Sequence, residues 1–180
     1  MAAGPRVRVF SAPDAPDAML AEIHRFLVET FEGRFSAEDW EHTSGGWRVV
    51  VLDGIVPVSH AAVVPRKLRV GDREVAAGYV EGVGTAPGRQ REGLASLAMT
   101  EAGKLVRDRF EMGALSTPVP GFYERLGWEL WRGPAFVRDG TGLTRTPDED
   151  GGILVLRFGP SLAFDLEAPI ACEARSGDDW

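Results

Sequence analysis

Residues 79–107 read YVEGVGTAPGRQREGLASLAMTEAGKLVR, and they constrain the fold more than any other stretch. A β-rich run ends at Thr85 and a basic, glycine-containing turn follows. Apolar residues then recur at Leu94, Leu97, Ala98, Ala102, Leu105 and Val106, the spacing of one buried helical face. A strand delivered through a tight turn into a helix leaves the first N–H groups of that helix without intrahelical partners, aimed at the turn. The helix dipole adds partial positive charge there, and Arg89 and Arg91 add two full charges. Such a turn suits a pyrophosphate. The glycines at 82, 84, 88 and 93 do not have G-x-G-x-x-G spacing after the strand, and G-x-x-x-x-G-K-[ST] is absent. What is present is Gln90-x-x-Gly93-x-Ala95. An ordinary solvent-facing helix start fits that pattern as well.

The rest of the chain supplies strands and short helices around this unit. Arg6 to Phe10 alternates charged and apolar residues, as a strand does. Pro16 opens a helix with Met19, Leu20, Ile23, Phe26, Leu27 and Thr30 on or near one face, and Gly33 ends it. Ser36-x-x-Asp39 predicts a capped short helix through His42. Residues 47–52 and 56–64 are two β-rich runs joined at Asp53-Gly54, a hairpin turn, and residues 64–70 continue or follow the second run. The central strand spans 75–85. Short strands follow at 113–116, 128–131 and 135–137, with a short helix over 118–126. Residues 139–152 read as a polar loop, 153–158 as the final strand, and the tail to Trp180 as irregular. With no linker or repeat, the pattern predicts one domain over 1–180, a mixed α/β sheet with helices on its faces.

Charge and composition exclude several functions. Twenty basic and 27 acidic residues give a net charge of −7, which disfavours nucleic acid and anionic membranes as partners and suits a cationic substrate. The single cysteine, Cys172, excludes an internal disulfide, and the three scattered histidines argue for no metal. No apolar run approaches the ~20 residues of a membrane span. Residues 1–16 lack a signal-peptide core. A cytoplasmic protein is expected.

Three residues stand out chemically. Glu81 is a carboxylate in a strand otherwise apolar or small; Tyr79, Glu81, Val83 and Thr85 share one face if the pleat is regular. Burying Glu81 unpaired is costly, so it either opens onto a cleft as a general base or meets an arginine. Gly82 and Gly84 permit close approach to the backbone or mark a bulge, and backbone groups of Val83 to Thr85 are available to an amide-bearing ligand. Tyr123 precedes Gly127-Trp128; it is either a proton donor to a thiolate or a packed aromatic. Trp180 follows Asp178-Asp179, a tail whose tryptophan favours docking over fraying.

Gln90-x-x-Gly93-x-Ala95 after the strand and Tyr123-x-x-x-Gly127-Trp128 downstream together resemble the GNAT acetyltransferase superfamily. Within it, DWEHT at 39–43, HAAV at 60–63, YVEGV at 79–83, GALS at 113–116, TRTPDEDG at 144–151 and the GDDW ending at 177–180 are similar to the aminoglycoside 2'-N-acetyltransferases. The likeness runs in order through nearly the whole chain. It implies a GNAT fold, a homodimer, and transfer of acetyl from acetyl-CoA to the 2'-amine of an aminoglycoside. It further implies that Val83, Gly84 and Thr85 hold the pantetheine arm. Gln90, Arg91, Glu92, Gly93, Leu94 and Ala95 would cradle the pyrophosphate. Glu81 and the Gly82 carbonyl would meet the amine, with Glu81 as base. Tyr123 would be the general acid. Asp39, Ser116, Asp148, Glu149, Asp178 and the Trp180 carboxylate would line the sugar site, the last with a catalytic part.

The sequence departs from that family at Arg34, where an aspartate is usual, at Glu149 in place of an aspartate, and in a shorter segment after Ser116 carrying Pro118 and Pro120. All lie on the substrate side. Arg34 repels diaminocyclitol amines and favours a carboxylate, which points to kasugamycin over 2-deoxystreptamine drugs; an exposed loop arginine fits the position equally well. An acetyltransferase for another amine or a protein N-terminus, and a non-enzymatic acyl-CoA-binding module, are the competing functions.

Overall fold

The computed structural model describes residues 4–180. Residues 1–3, the start of the stretch read above for a signal peptide, lie outside the described residues. The chain divides into two compact units, one made of residues up to Val64 with Val80–Lys104, the other of Pro65–Tyr79 with Leu105–Trp180.

The first unit begins with β1 (Arg6–Ser11), antiparallel to β2 (Trp47–Asp53) from Arg6↔Leu52 to Ser11↔Trp47. The Asp53-Gly54 turn joins β2 to β3 (Val56–Val70), with a bulge between Val51 and Leu52. Helix α1 (Asp17–Thr30) lays Ile23, Phe26 and Leu27 against Val50 and Leu52, as its spacing dictates. Helix α2 (Ala37–His42) has both halves of its capping box: Asp39 N–H donates to Ser36 Oγ and Ser36 N–H to Asp39 Oδ2. The last residues of β4 (Arg73–Thr85) lead into α3 (Leu94–Arg109). Along α3, Leu94, Ala98, Ala102 and Val106 are buried at four-residue spacing. Leu97, expected on that face, is exposed: it lies ~100° round the helix from Ala98.

The second unit is built on the other halves of β3 and β4. Strand β5 (Met112–Ser116) runs parallel to β4, from Ala77↔Met112 to Tyr79↔Ala114. β9 (Ile153–Leu156) lies antiparallel between β5 and β6 (Glu129–Leu130). Helix α4 (Pro120–Glu124) ends at Gly127, whose φ of 87° is the left-handed stop glycine permits. Two expectations fail here. The stretch 139–152 is not only loop: β8 (Gly142–Arg145) pairs with β7 (Ala135–Asp139) as a hairpin. Nor is the strand at 153 the last, since β10 (Ile170–Glu173) lies parallel to β7 and antiparallel to β3. Ile170, Ala171 and Cys172 are buried there. A four-residue strand carries too little periodicity to be read from sequence. Cys172 Sγ donates to Asp179 O, and burial pushes its thiol up to about 11. Antiparallel pairings outnumber parallel ones, as the mixed-sheet expectation required. No helix among the described residues is long and apolar enough to cross a membrane.

Candidate active site

In the first unit the geometry turns on Gly82. Its φ of 58° breaks the regular pleat of β4, so Glu81 and Val83 do not share a face by simple alternation as expected. A Cβ at Gly82 would lie 2.9 Å from Thr43 Cγ2, so both conformation and space demand glycine. The Gly82 carbonyl accepts from His60 Nδ1 at 2.7 Å. A carbonyl only accepts, so Nδ1 carries the proton and Nε2 is left as an acceptor. Arg48 Nη1 stands 3.4 Å from that Nε2. His60 is fully buried, and desolvation pulls its pKa down to about 3, with the neighbouring Arg48 charge helping. The ring is neutral at physiological pH. Glu81 is half-buried, with one carboxylate oxygen buried.

Downstream, Ser59 Oγ donates to the Gly84 carbonyl at 2.9 Å and lies 3.0 Å from Thr85 Oγ1. The Gly84 carbonyl, expected to be open to a ligand, therefore already has a partner. A Cβ on Gly84 would come within 2.8 Å of Thr30 Cγ2. In the turn, Arg91 (φ 66°) and Gly93 (φ 82°) are left-handed, and Gln90, Arg91, Glu92 and Gly93 are exposed just before Leu94 opens α3. Left-handed residues in such a turn gather backbone N–H groups into an anion-accepting concavity. Arg89 adds less charge than expected, because Asp53 and Glu92 hold it in ion pairs of 2.8 Å each. Arg34 is 79% exposed in the loop after α1, 3.4 Å from Glu32, and Asp39 sits half-buried in its capping box.

In the second unit Tyr123 is buried, hydrogen-bonded to the Thr117 hydroxyl, and desolvation raises its phenol to about 12. Ser116 Oγ donates to Glu149 at 2.8 Å, which brings those two expected residues together, while Asp148 is exposed. Trp180 is buried and its backbone N–H donates to the Asp178 carboxylate at 3.2 Å. The segment docks, as expected of its tryptophan. Sequence reading missed His60, Arg48, Ser59, Thr43 and Thr117. Their signal was position alone: Arg48 stands between Trp47 and Val49, and Ser59-His60 is a polar pair in the otherwise apolar start of β3.

The acetyltransferase (GNAT) domain family matches residues 13–131. An aminoglycoside 2'-N-acetyltransferase of Mycolicibacterium fortuitum is 38% identical over 87% of this chain and 82% of its own. The E. coli GNAT N-acetyltransferase YhbS in complex with CoA superposes with a TM-score of 0.70 at 15% identity, covering 93% of this chain and 89% of that one. A GNAT acetyltransferase from Brucella melitensis in complex with acetyl-CoA gives 0.60 at 17% identity, over 87% and 90%. Several longer structures match over only 32–34% of their own length. The family match and the relative's identity over most of both chains agree with the fold likeness, and the chain belongs to the GNAT acetyltransferases, within the aminoglycoside 2'-N-acetyltransferase family.

Proposed function

We propose that this acetyltransferase moves the acetyl group of acetyl-CoA to the 2'-amine of an aminoglycoside, as one N-acetyltransferase domain over 1–180 that works as a cytoplasmic homodimer and confers antibiotic resistance. The observation that carries the reading is the left-handed backbone of Gly82 within β4, directly after Glu81. A left-handed residue in a strand re-aims the backbone beside it, and a half-buried carboxylate at that point suits a base for an amine approaching a thioester. The amine gives a proton to Glu81, directly or through water, and its nitrogen attacks the thioester carbon. The C–N bond forms, the C–S bond breaks, and the sulfur leaves as thiolate. Tyr123, neutral at pH 7, donates to that sulfur. With its phenol near 12 and an ordinary thiol near 8.5, full transfer is uphill, so the phenol acts chiefly by hydrogen bonding to the developing charge.

Val83, Gly84 and Thr85 are assigned to the pantetheine arm. Gln90, Arg91, Glu92, Gly93, Leu94 and Ala95 are assigned to the pyrophosphate, a role supported by the left-handed residues and exposed amides of that turn. Asp39, Ser116, Asp148, Glu149, Asp178 and Trp180 are assigned to the amino sugar, Trp180 also to the proton path, and the Gly82 carbonyl to the attacking amine. A preference for kasugamycin rests on Arg34. Because Arg34 is exposed beside Glu32, its contribution is below about 1 kcal/mol unless substrate desolvates it. An acetyl-CoA-dependent thiol-release assay with kasugamycin, gentamicin and tobramycin tests the reading. Release with none of them, but with a simple amine or peptide, assigns another acceptor to the same chemistry.

A further inference from the structure

Arg48 is a buried cation without a counter-charge. It is 5% exposed, and among the described residues no carboxylate pairs with it. Its partners are neutral: His60 Nε2 at 3.4 Å, Ser44 Oγ at 3.2 Å, and the face of Trp40, whose ring centroid lies 4.0 Å from the guanidinium carbon. A guanidinium carries five N–H donors, so two hydrogen bonds leave capacity unused. A buried charge is ordinarily retained only where something of opposite sign meets it. Desolvation lowers its pKa to about 10, which still leaves it charged at neutral pH.

Arg48 also lines a cavity of about 210 Å³ within the first unit. Ser11, Ala12, Ala15 and Leu20 line one part of it; Trp40, Thr43, Ser44, Gly45 and Gly46 line the rest. Ala12, Ser44 and Gly45 are exposed and form a rim, while Arg48 is buried. A water in the liquid takes ~30 Å³, so the space admits a carboxylate with several attached atoms. The lining itself holds no acidic side chain; its hydroxyls already donate, Ser11 to Asp14 and Thr43 and Ser44 to the Trp40 carbonyl, so the donor for an anion is the Arg48 guanidinium. We propose that this cavity is a carboxylate-binding subsite whose anchor is the Arg48 guanidinium, with Ser44 and the Trp40 ring shaping its mouth. Planar carboxylates match the guanidinium fork, which is why arginine rather than lysine suits such a site.

The carboxylate has two sources: a free small-molecule acid, or an acid group on the acceptor amine. Only the second rests on the acetyl-transfer reading. His60 connects the subsite to Gly82, since one ring nitrogen faces Arg48 and the other the Gly82 carbonyl.

The test is ¹⁵N-detected titration of the whole protein with sodium formate, at ionic strength held constant with sodium chloride. Saturable shifts are expected at the Trp40 indole and at the amides of Ser44, Gly45 and Gly46. Arg48→Gln, which keeps hydrogen bonding but removes charge, should weaken formate at least tenfold. Ala15→Phe, which adds bulk at the half-buried wall of the cavity and leaves Arg48 in place, should abolish saturation. Melting curves establish that both variants fold. Shifts that grow linearly with formate, or equal affinity in folded Arg48→Gln, overturn the subsite. Without acetyl-CoA, displacement of formate by an amine bearing a carboxylate but not by its carboxylate-free analogue identifies the acceptor as the source. Displacement by neither, with saturable formate binding retained, identifies a free acid. The readout is binding alone, so failure of the subsite and failure of acetyl transfer are told apart.

Discussion

His60 Nδ1 lies 2.7 Å from the carbonyl oxygen of Gly82, and the two residues fix each other. The ring holds the carbonyl at the break in β4, and that carbonyl fixes which ring nitrogen keeps its proton. Gly82 O, assigned above to the substrate amine, is therefore presented by a neutral imidazole, and an amine reaches it through its second lone pair.

This pair makes stability depend on pH. The unfolded chain takes up a proton at His60 near pH 6.5, while the folded chain resists to about 3. Stability is full above 6.5 and falls by about 1.4 kcal/mol per pH unit as pH drops through that window. Urea unfolding from pH 7 to 4 should show this slope in the wild type and a shallower one in His60→Gln. Parallel slopes would remove His60 as its source.

Gly82→Ala forces a left-handed non-glycine and a Cβ 2.9 Å from Thr43 Cγ2. Strain of this kind costs about 1–3 kcal/mol. Loss of stability by denaturant titration, together with a lower kcat, is the expected result. A variant as stable and active as wild type would show that the break in β4 is dispensable.

Gly93→Asp separates binding from folding. A Cβ there meets nothing within 4 Å, so the fold bears only the cost of φ 82°, which aspartate tolerates better than most residues. The new anion faces the turn assigned to pyrophosphate. KM for acetyl-CoA should rise at least ~10-fold while the melting temperature moves little. Unchanged CoA affinity by calorimetry in the folded variant assigns the pyrophosphate elsewhere.

Glu81→Gln and Tyr123→Phe address proton transfer. General acid–base groups contribute roughly 10²–10⁴-fold. Glu81→Gln should fall within that range in kcat with CoA binding intact. Tyr123→Phe should sit at the low end, because a phenol raised to about 12 stabilises thiolate more readily than it fully protonates it. Wild-type turnover in either variant reduces that residue to packing.

Arg34→Ala measures the exposed arm of the kasugamycin preference. With Arg34 in solvent beside Glu32, kcat/KM for kasugamycin should change by less than about fivefold. A loss above tenfold would mean that substrate desolvates the guanidinium on binding.

What the sequence disclosed follows from periodicity and turn chemistry. The helix at 17–30, the capping box at Ser36, the Asp53-Gly54 hairpin and the strand–turn–helix at 79–107 were legible because each repeats a short-range rule. β8 and β10 were not, being four residues each; β8 is the second arm of a hairpin in a polar stretch, and β10 is held by partners far away in the chain. The same limit hid Arg48 and His60. Each stands out in sequence only as a polar residue in a β-rich run, and their importance arises only when β2 and β3 place them against one another, with His60 also against Gly82. Arg89 shows the converse. Its charge was visible in sequence, and so was Glu92 three residues on, but its second carboxylate partner was not, since Asp53 lies 36 residues away.

Cys172 makes the protein a quiet participant in its own assay. The only thiol in the chain is buried on β10, pushed up to about 11 and hydrogen-bonded to Asp179 O. Thiolate is the reactive form, so the folded enzyme adds almost no background when a chromogenic disulfide reports released CoA. The reagent then doubles as a clock. Any slow labelling of one sulfur per chain times the lifting of residues 174–180 away from β10, and a substitution that loosens that segment will announce itself as colour before substrate is added.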